Sequence, residues 1–202
     1  MSITTYSELQ TAVGNWLHRA DLTSYIPDFI TLCESKINRN LRISTMETRV
    51  TATLDEQYET VPTDFLEMRS IQTTGSSGMA LEYVSPQTFN TLYKTSDTGA
   101  PKFYTIIDGT VAFAPAPDGS YTMEMVYYKA IPVLSASQTT NWMLTNHPDV
   151  YLYGSLKEAA GFVKDDPRLG SWKAQYEEAL QQVKDADARA RWVGPMTIRA
   201  HQ

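Results

Sequence analysis

The hydrophobic period of this chain changes twice. At both ends apolar residues recur at three- and four-residue spacing, and between them the period falls to two, so the chain is bound to place helices at its termini and short strands in its middle. In the first part, Thr5 and Glu8 have capping-box spacing, and Leu9, Val13, Trp16 and Leu17 follow at helical intervals, predicting a helix over about residues 6–19. A second helix is predicted where Ser24 can cap and Pro27 is tolerated in the first turn, with Ile26, Phe29, Ile30, Cys33, Ile37 and Leu41 as its apolar stripe.

From Glu47 onward the segments "ETRVTATL", "QYETVP", "MRSIQTT" and "MALEYVS" are short, rich in Val, Thr, Ile and Tyr, and bounded by turn residues; they read as antiparallel strands. "SPQTFNTLYK" interrupts them with a short helix, since Ser85 can cap it and Pro86 suits its first turn. "KFYTIIDGTVAFAP" is a hairpin signal, because Asp108-Gly109 supplies the two positive-φ positions of a tight turn. "YTMEMVYYKAI" alternates once more and completes a β region of about six or seven strands.

Helical spacing returns after the loop "PVLSASQTTNW". Pro148 suits a first turn, Asn146 or His147 can cap, Asp149 favours the positive end of the helix dipole, and Leu152, Leu156, Ala159, Ala160 and Val163 form one face. Gly154, Ala159, Ala160 and Gly161 are small, which predicts close approach of a neighbouring helix or subunit. Asp166 and Pro167 restart a last helix, carried by Leu169, Trp172, Tyr176, Leu180 and Val183 to about Arg191, and Gly194-Pro195 stops it. The fold class expected is α+β: an antiparallel helical bundle from residues 1–45 and 143–192, an inserted small antiparallel β-sandwich-like domain over 46–142, and a C-terminal arm over 193–202.

Composition narrows the function. A net charge of −6 with only 17 Lys and Arg argues against broad nucleic-acid or anionic-membrane binding. The single cysteine, Cys33, excludes an intramolecular disulfide and lies mid-stripe, where it reads as a packed thiol. No basic start precedes an apolar run and no window reaches membrane-spanning length, so the chain reads as soluble and without a standard signal. His18, His147 and His201 are far apart, and none of HExxH, GxSxG, SxxK, Walker A or GxGxxG is present. His147 with Asp149 reads as a helix start, Asp165-Asp166 as a cap, and Asp64 with Glu67 as a solvated turn. No enzyme, metal or cofactor is expected.

What remains points to assembly. Twelve tyrosines and four tryptophans provide amphipathic contact area. After the helix stop the tail keeps Trp192, Val193, Pro195, Met196, Ile198 and Arg199 with no element to join, as an arm that docks on a partner would. Arg39, Arg42 and Arg49 cluster in sequence near the helix-to-strand junction and are the residues to test if the protein encircles DNA.

The strings "ETRVTATLD", "VPTDFLEMRSI", "TNWMLTNHPDVYLYGSLKEAA" and "RARWVGPMTIR" resemble the head-to-tail adaptor (connector) proteins of tailed bacteriophages, the group related to the tail tubular or gatekeeper adaptors of short-tailed phages. The resemblance runs over nearly the whole chain. It implies a structural virion protein, made and assembled in the host cytoplasm, that forms a homo-oligomeric ring, commonly twelve-fold, beneath the portal protein. Such a ring extends the DNA channel, docks the next tail component (a nozzle or tail-tube-type protein) and lets packaged DNA pass without sequence-specific binding. By the same resemblance Trp192–Gln202 is a portal-contacting arm. The competing expectation is a receptor- or carbohydrate-binding virion module built on the β domain.

Overall fold

The computed structural model describes residues 2–74, 78–92, 97–163 and 167–191. The arm residues Trp192, Val193, Pro195, Met196, Ile198 and Arg199 lie outside them, as do Asp165 and the cap candidate Asp166. The fold is α+β, and its contacts divide the chain into two units, Met1–Ser44 with Ile131–Gln202, and Thr45–Ala130.

In the first unit, α1 (Tyr6–Leu17) begins at the capping box read from the sequence: Thr5 Oγ1 accepts from Glu8 N, and Glu8 Oε2 accepts from Thr5 N at 3.0 Å. It ends where His18 turns left-handed, at φ 55°. A 3-10 turn, Ala20–Tyr25, follows and takes up Ser24, so α2 (Ile26–Asn40) starts without a side-chain cap, on Pro27 in its first turn. The short α4 (Trp142–Asn146), not foreseen in the sequence, is capped by Asn141, whose Oδ1 accepts from Leu144 N at 2.8 Å. α5 (Pro148–Phe162) packs against α1, α2, α4 and α6 (Leu169–Arg191). Because it has neighbours on several sides, Val150, Tyr151 and Leu152 are all buried, and the single face expected for this helix describes it incompletely. The last helix does bury Trp172, Tyr176, Leu180 and Val183.

Residues 131–141, assigned to the β region on sequence, belong with the helices. Ile131 N donates to Asn38 Oδ1 and Leu134 N to Glu34 Oε1, each at 2.9 Å, which fastens this segment along α2. The side chain of Asn141 reaches back to Pro132 O at 2.8 Å.

In the second unit, β1 (Glu47–Leu54), β7 (Tyr121–Lys129) and β3 (Phe65–Thr74) form one antiparallel sheet in the order β1-β7-β3. The other sheet has the order β2-β6-β5-β4, from β2 (Tyr58–Thr60), β4 (Glu82–Tyr83), β5 (Phe103–Ile107) and β6 (Thr110–Ala114). The β5–β6 hairpin turns on Asp108 and Gly109, at φ 49° and 70°, as the dipeptide demands. The wholly antiparallel expectation is corrected at one place: β4 pairs parallel with β5. A parallel neighbour needs a crossover, and the stretch between them holds α3 (Pro86–Leu92), entered at Ser85, whose Oγ accepts from Thr88 N. Leu54, Ile71, Met123, Met125 and Tyr127 from one sheet and Tyr104, Val111 and Phe113 from the other make one shared core.

Candidate functional site

The helical unit is built around the small residues of α5. Gly154 faces α2 and α6 together: a Cβ there would collide with Cys33 Sγ and lie 3.0 Å from a ring carbon of Tyr176. Ala159 and Ala160 are buried as well. At Gly154 the close approach is therefore between helices of one chain. Of the four, Gly161 alone is exposed, with open space around its Cα.

Beside this seam lies a polar string. Glu34, on the buried face of α2, accepts from Leu134 N and, at 3.0 Å, from the Tyr151 hydroxyl; Asn141 Nδ2 donates to that hydroxyl at 2.7 Å. Burial raises the Glu34 pKa above the ordinary carboxylate value against the pull of its two donors. Burial likewise pushes the Tyr151 hydroxyl and the Cys33 thiol upward, which favours the neutral thiol. Glu34 and Asn141 were missed in the sequence because a charged residue beside Ser35 and Lys36, and an amide in a polar loop, read as solvent-facing, and only the fold brings Leu134 and Tyr151 to them.

The three candidate arginines have different local surroundings. Arg39 is exposed in the last turn of α2, its Nε donating to Ser35 O. Arg42 is turned inward on the chain, with Nη1 donating to Asn38 O and Leu41 O at 2.7 Å each, where it satisfies helix-end carbonyls. Arg49 belongs to the other unit, on β1, with 70% of its side chain exposed and its Nε 3.7 Å from Glu124 Oε1.

The polar residues weighed for chemistry have these surroundings, Asp165 and Asp166 lying outside the described residues. His147 precedes α5 without a side-chain cap bond, and Asp149 occupies the first turn. Asp64 accepts from the Tyr127 hydroxyl at 2.8 Å and, through its carbonyl, from Ala130 N. Burial and then this bond push the Tyr127 hydroxyl up to about 12, so the pair is a fixed clasp on β7. Among the described residues, no group of three His, Cys, Asp or Glu is placed to hold a metal ion, and no helix is long and apolar enough to cross a membrane.

Aromatic surface is plentiful on the helical unit. Trp16, expected on the buried stripe of α1, is 45% exposed and meets Tyr153 edge-on at 5.9 Å. Phe162, 55% exposed, meets Phe29 and the exposed Tyr25 in tilted ring contacts, with centroids 5.7 Å and 5.1 Å away, and Leu32 is exposed further along α2. On α5 positions 153 and 162 are nine residues apart, which at 100° per residue sets them on opposite sides of the helix. An open groove of about 610 Å³ lies beside Trp16, lined also by His18, Arg168, Trp172 and Gln175. Arg168 lies over the Trp172 ring at 4.6 Å and donates to Trp16 O.

A family model described as SU10 adaptor protein matches residues 4–199. No curated protein matches the chain.

Proposed function

The chain belongs to the SU10 adaptor protein family, and from that premise we propose that it is a structural component of a bacteriophage virion, a head-to-tail adaptor that forms a homo-oligomeric ring under the portal. The observation that carries this reading is the family match across both units, from residue 4 to 199. The ring, twelve-fold by resemblance, extends the DNA channel and docks the next tail component. The helices of the first unit act as an antiparallel bundle, and the two sheets of the second as a small sandwich inserted into it. Trp192–Gln202 is the portal-contacting arm, with Trp192, Val193, Pro195, Met196, Ile198 and Arg199 as its contacts.

Two features of the helical unit support assembly. Exposed aromatics on opposite sides of α5 suit a ring, in which each subunit presents one surface to the subunit before it and another to the subunit after. Gly161, beside Phe162, leaves that second surface flat enough for close contact. Arg39, Arg42 and Arg49 are the candidate channel or interface arginines. The chain's net charge of −6 suits a channel along which DNA slides without adhering.

Electron microscopy of the chain alone and mixed with portal-bearing capsids tests the reading. The expected image is a ring at the portal vertex, and deletion of Met196–Gln202 is expected to lower retention on such capsids at least tenfold. A trimer that ignores the portal and binds glycans would overturn it, and unchanged retention after the deletion would remove the arm from the interface.

A further inference from the structure

Asp187 lies one helical turn before Arg191, the last described residue and the point from which the arm departs. Its Oδ1 accepts from Ser44 N at 2.9 Å and also from the Ser44 hydroxyl. Its other oxygen, Oδ2, meets Arg191 Nε at 3.0 Å. Ser44 opens the 3-10 turn Ser44–Met46, and β1 begins at Glu47 immediately after it. One carboxylate thus holds, on one oxygen, the connector that leads into the β unit and, on the other, the root of the arm.

Physical details separate this contact from an ordinary surface pair. The Asp187 side chain is only 12% exposed, so water and salt screen it less than an open ion pair. Burial alone would push its carboxyl up, yet the Ser44 hydroxyl and N–H and the Arg191 guanidinium outweigh burial and hold the pKa below the ordinary value. The two oxygens share one plane and one charge, so a guanidinium that moves with the arm must either release Oδ2 or turn the carboxylate, and turning it takes Oδ1 away from Ser44. In sequence Asp187 and Arg191 show only as a helical i,i+4 pair.

We propose that Asp187 is a positioning residue that couples the C-terminal arm to the connector entering the β unit, so that capture of the arm by its partner is felt at Ser44–Glu47. The coupling rests on the reading of 192–202 as a portal-contacting arm. The latch itself does not, because its three partners are in place in the free chain.

The experiment compares wild type, Asp187→Ala and Ser44→Ala as full chains, alone and bound to portal-bearing capsids. Ser44 is exposed, so its variant keeps the fold if the Asp187 variant does not. In the free chain, amide exchange at Ser44 is expected to quicken about tenfold in Asp187→Ala, with faster tryptic cleavage after Arg191, and to quicken less in Ser44→Ala, which keeps the backbone donor. On portal binding, exchange at residues 44–47 is expected to change in wild type and to stay flat in Asp187→Ala even where binding persists. Equal change in wild type and variant, or none in wild type that does bind, overturns the coupling. Failure of wild type to bind capsids overturns the proposed function instead. Unaltered exchange at Ser44 in both free variants overturns the latch whichever way binding falls.

Discussion

At the scale of single residues the least ordinary group is Glu34, an acid enclosed in an apolar helix face. It is buried and keeps Oε1 between two donors while Oε2 has none. Its folded pKa lies above the unfolded value, so folding favours the protonated form. The stability this contributes is whole below the ordinary carboxylate range, roughly pH 4, and is lost as pH rises through the raised folded pKa. Glu34→Gln removes the titration and keeps an acceptor for Leu134 N and the Tyr151 hydroxyl. Urea unfolding of both chains is therefore expected to show wild type gaining on the variant as pH is lowered from 8 to 4; a gap independent of pH would refute the assignment. Glu34→Ala strands the buried Leu134 N–H and should cost about 1–3 kcal/mol from that alone.

At the scale of elements, α5 is held by contacts its own sequence only half announces. The small residues were visible, but which neighbour they admit was not, since Cys33 and Tyr176 come from α2 and α6. Gly154→Ala is expected to destabilise the chain by about 1–3 kcal/mol, because the new methyl group meets Cys33 Sγ and the Tyr176 ring in a filled core. Cys33→Ala in the same chain opens the space, so a double-mutant cycle in urea should show the pair losing less than the sum of the single changes. Strict additivity would mean that the seam relaxes some other way. Local rules were legible wherever a few adjacent residues settle the geometry: the Thr5–Glu8 box, the Ser85 cap and the Asp108-Gly109 turn all stand as read. Features set by distant partners were not. Nothing in "YTMEMVYYK" says that β7 lies between β1 and β3, and the two-residue β4 owes its parallel pairing to the crossover through α3. Ser24 failed as a cap because the 3-10 turn before α2 absorbed it. The same limit divides the site. The apolar tail is a matter of composition and order and lies outside the described residues, whereas the inward turn of Arg42, the Glu34 network and the Asp187–Ser44 contact depend on residues brought together by folding.

At the scale of the whole molecule, the division into two units makes a demand on how the insert is tied in. β1 and β7 pair from Glu47↔Tyr128 to Leu54↔Tyr121, so the first and last strands of the β unit run side by side and its two ends lie on neighbouring strands. An insertion with adjacent ends closes a short gap in its host, which costs little chain entropy. The cores obey the same division: the cluster around Phe113 and Met125, with the side chains packed on it, draws on residues 50–127. Residues 45–130 expressed alone are accordingly expected to fold, with a cooperative urea transition and slow amide exchange at Met123, Met125 and Tyr127, the centre of the β1-β7-β3 sheet. The complementary chain, with 45–130 replaced by a short Gly/Ser linker between Ser44 and Ile131, should keep the Glu34 and Asn38 bonds to residues 131–134 and unfold cooperatively as well. If the isolated β unit instead exchanges all its amides within seconds while the full chain does not, its stability is borrowed from the helices, and the two units are one folding unit despite the division of their contacts.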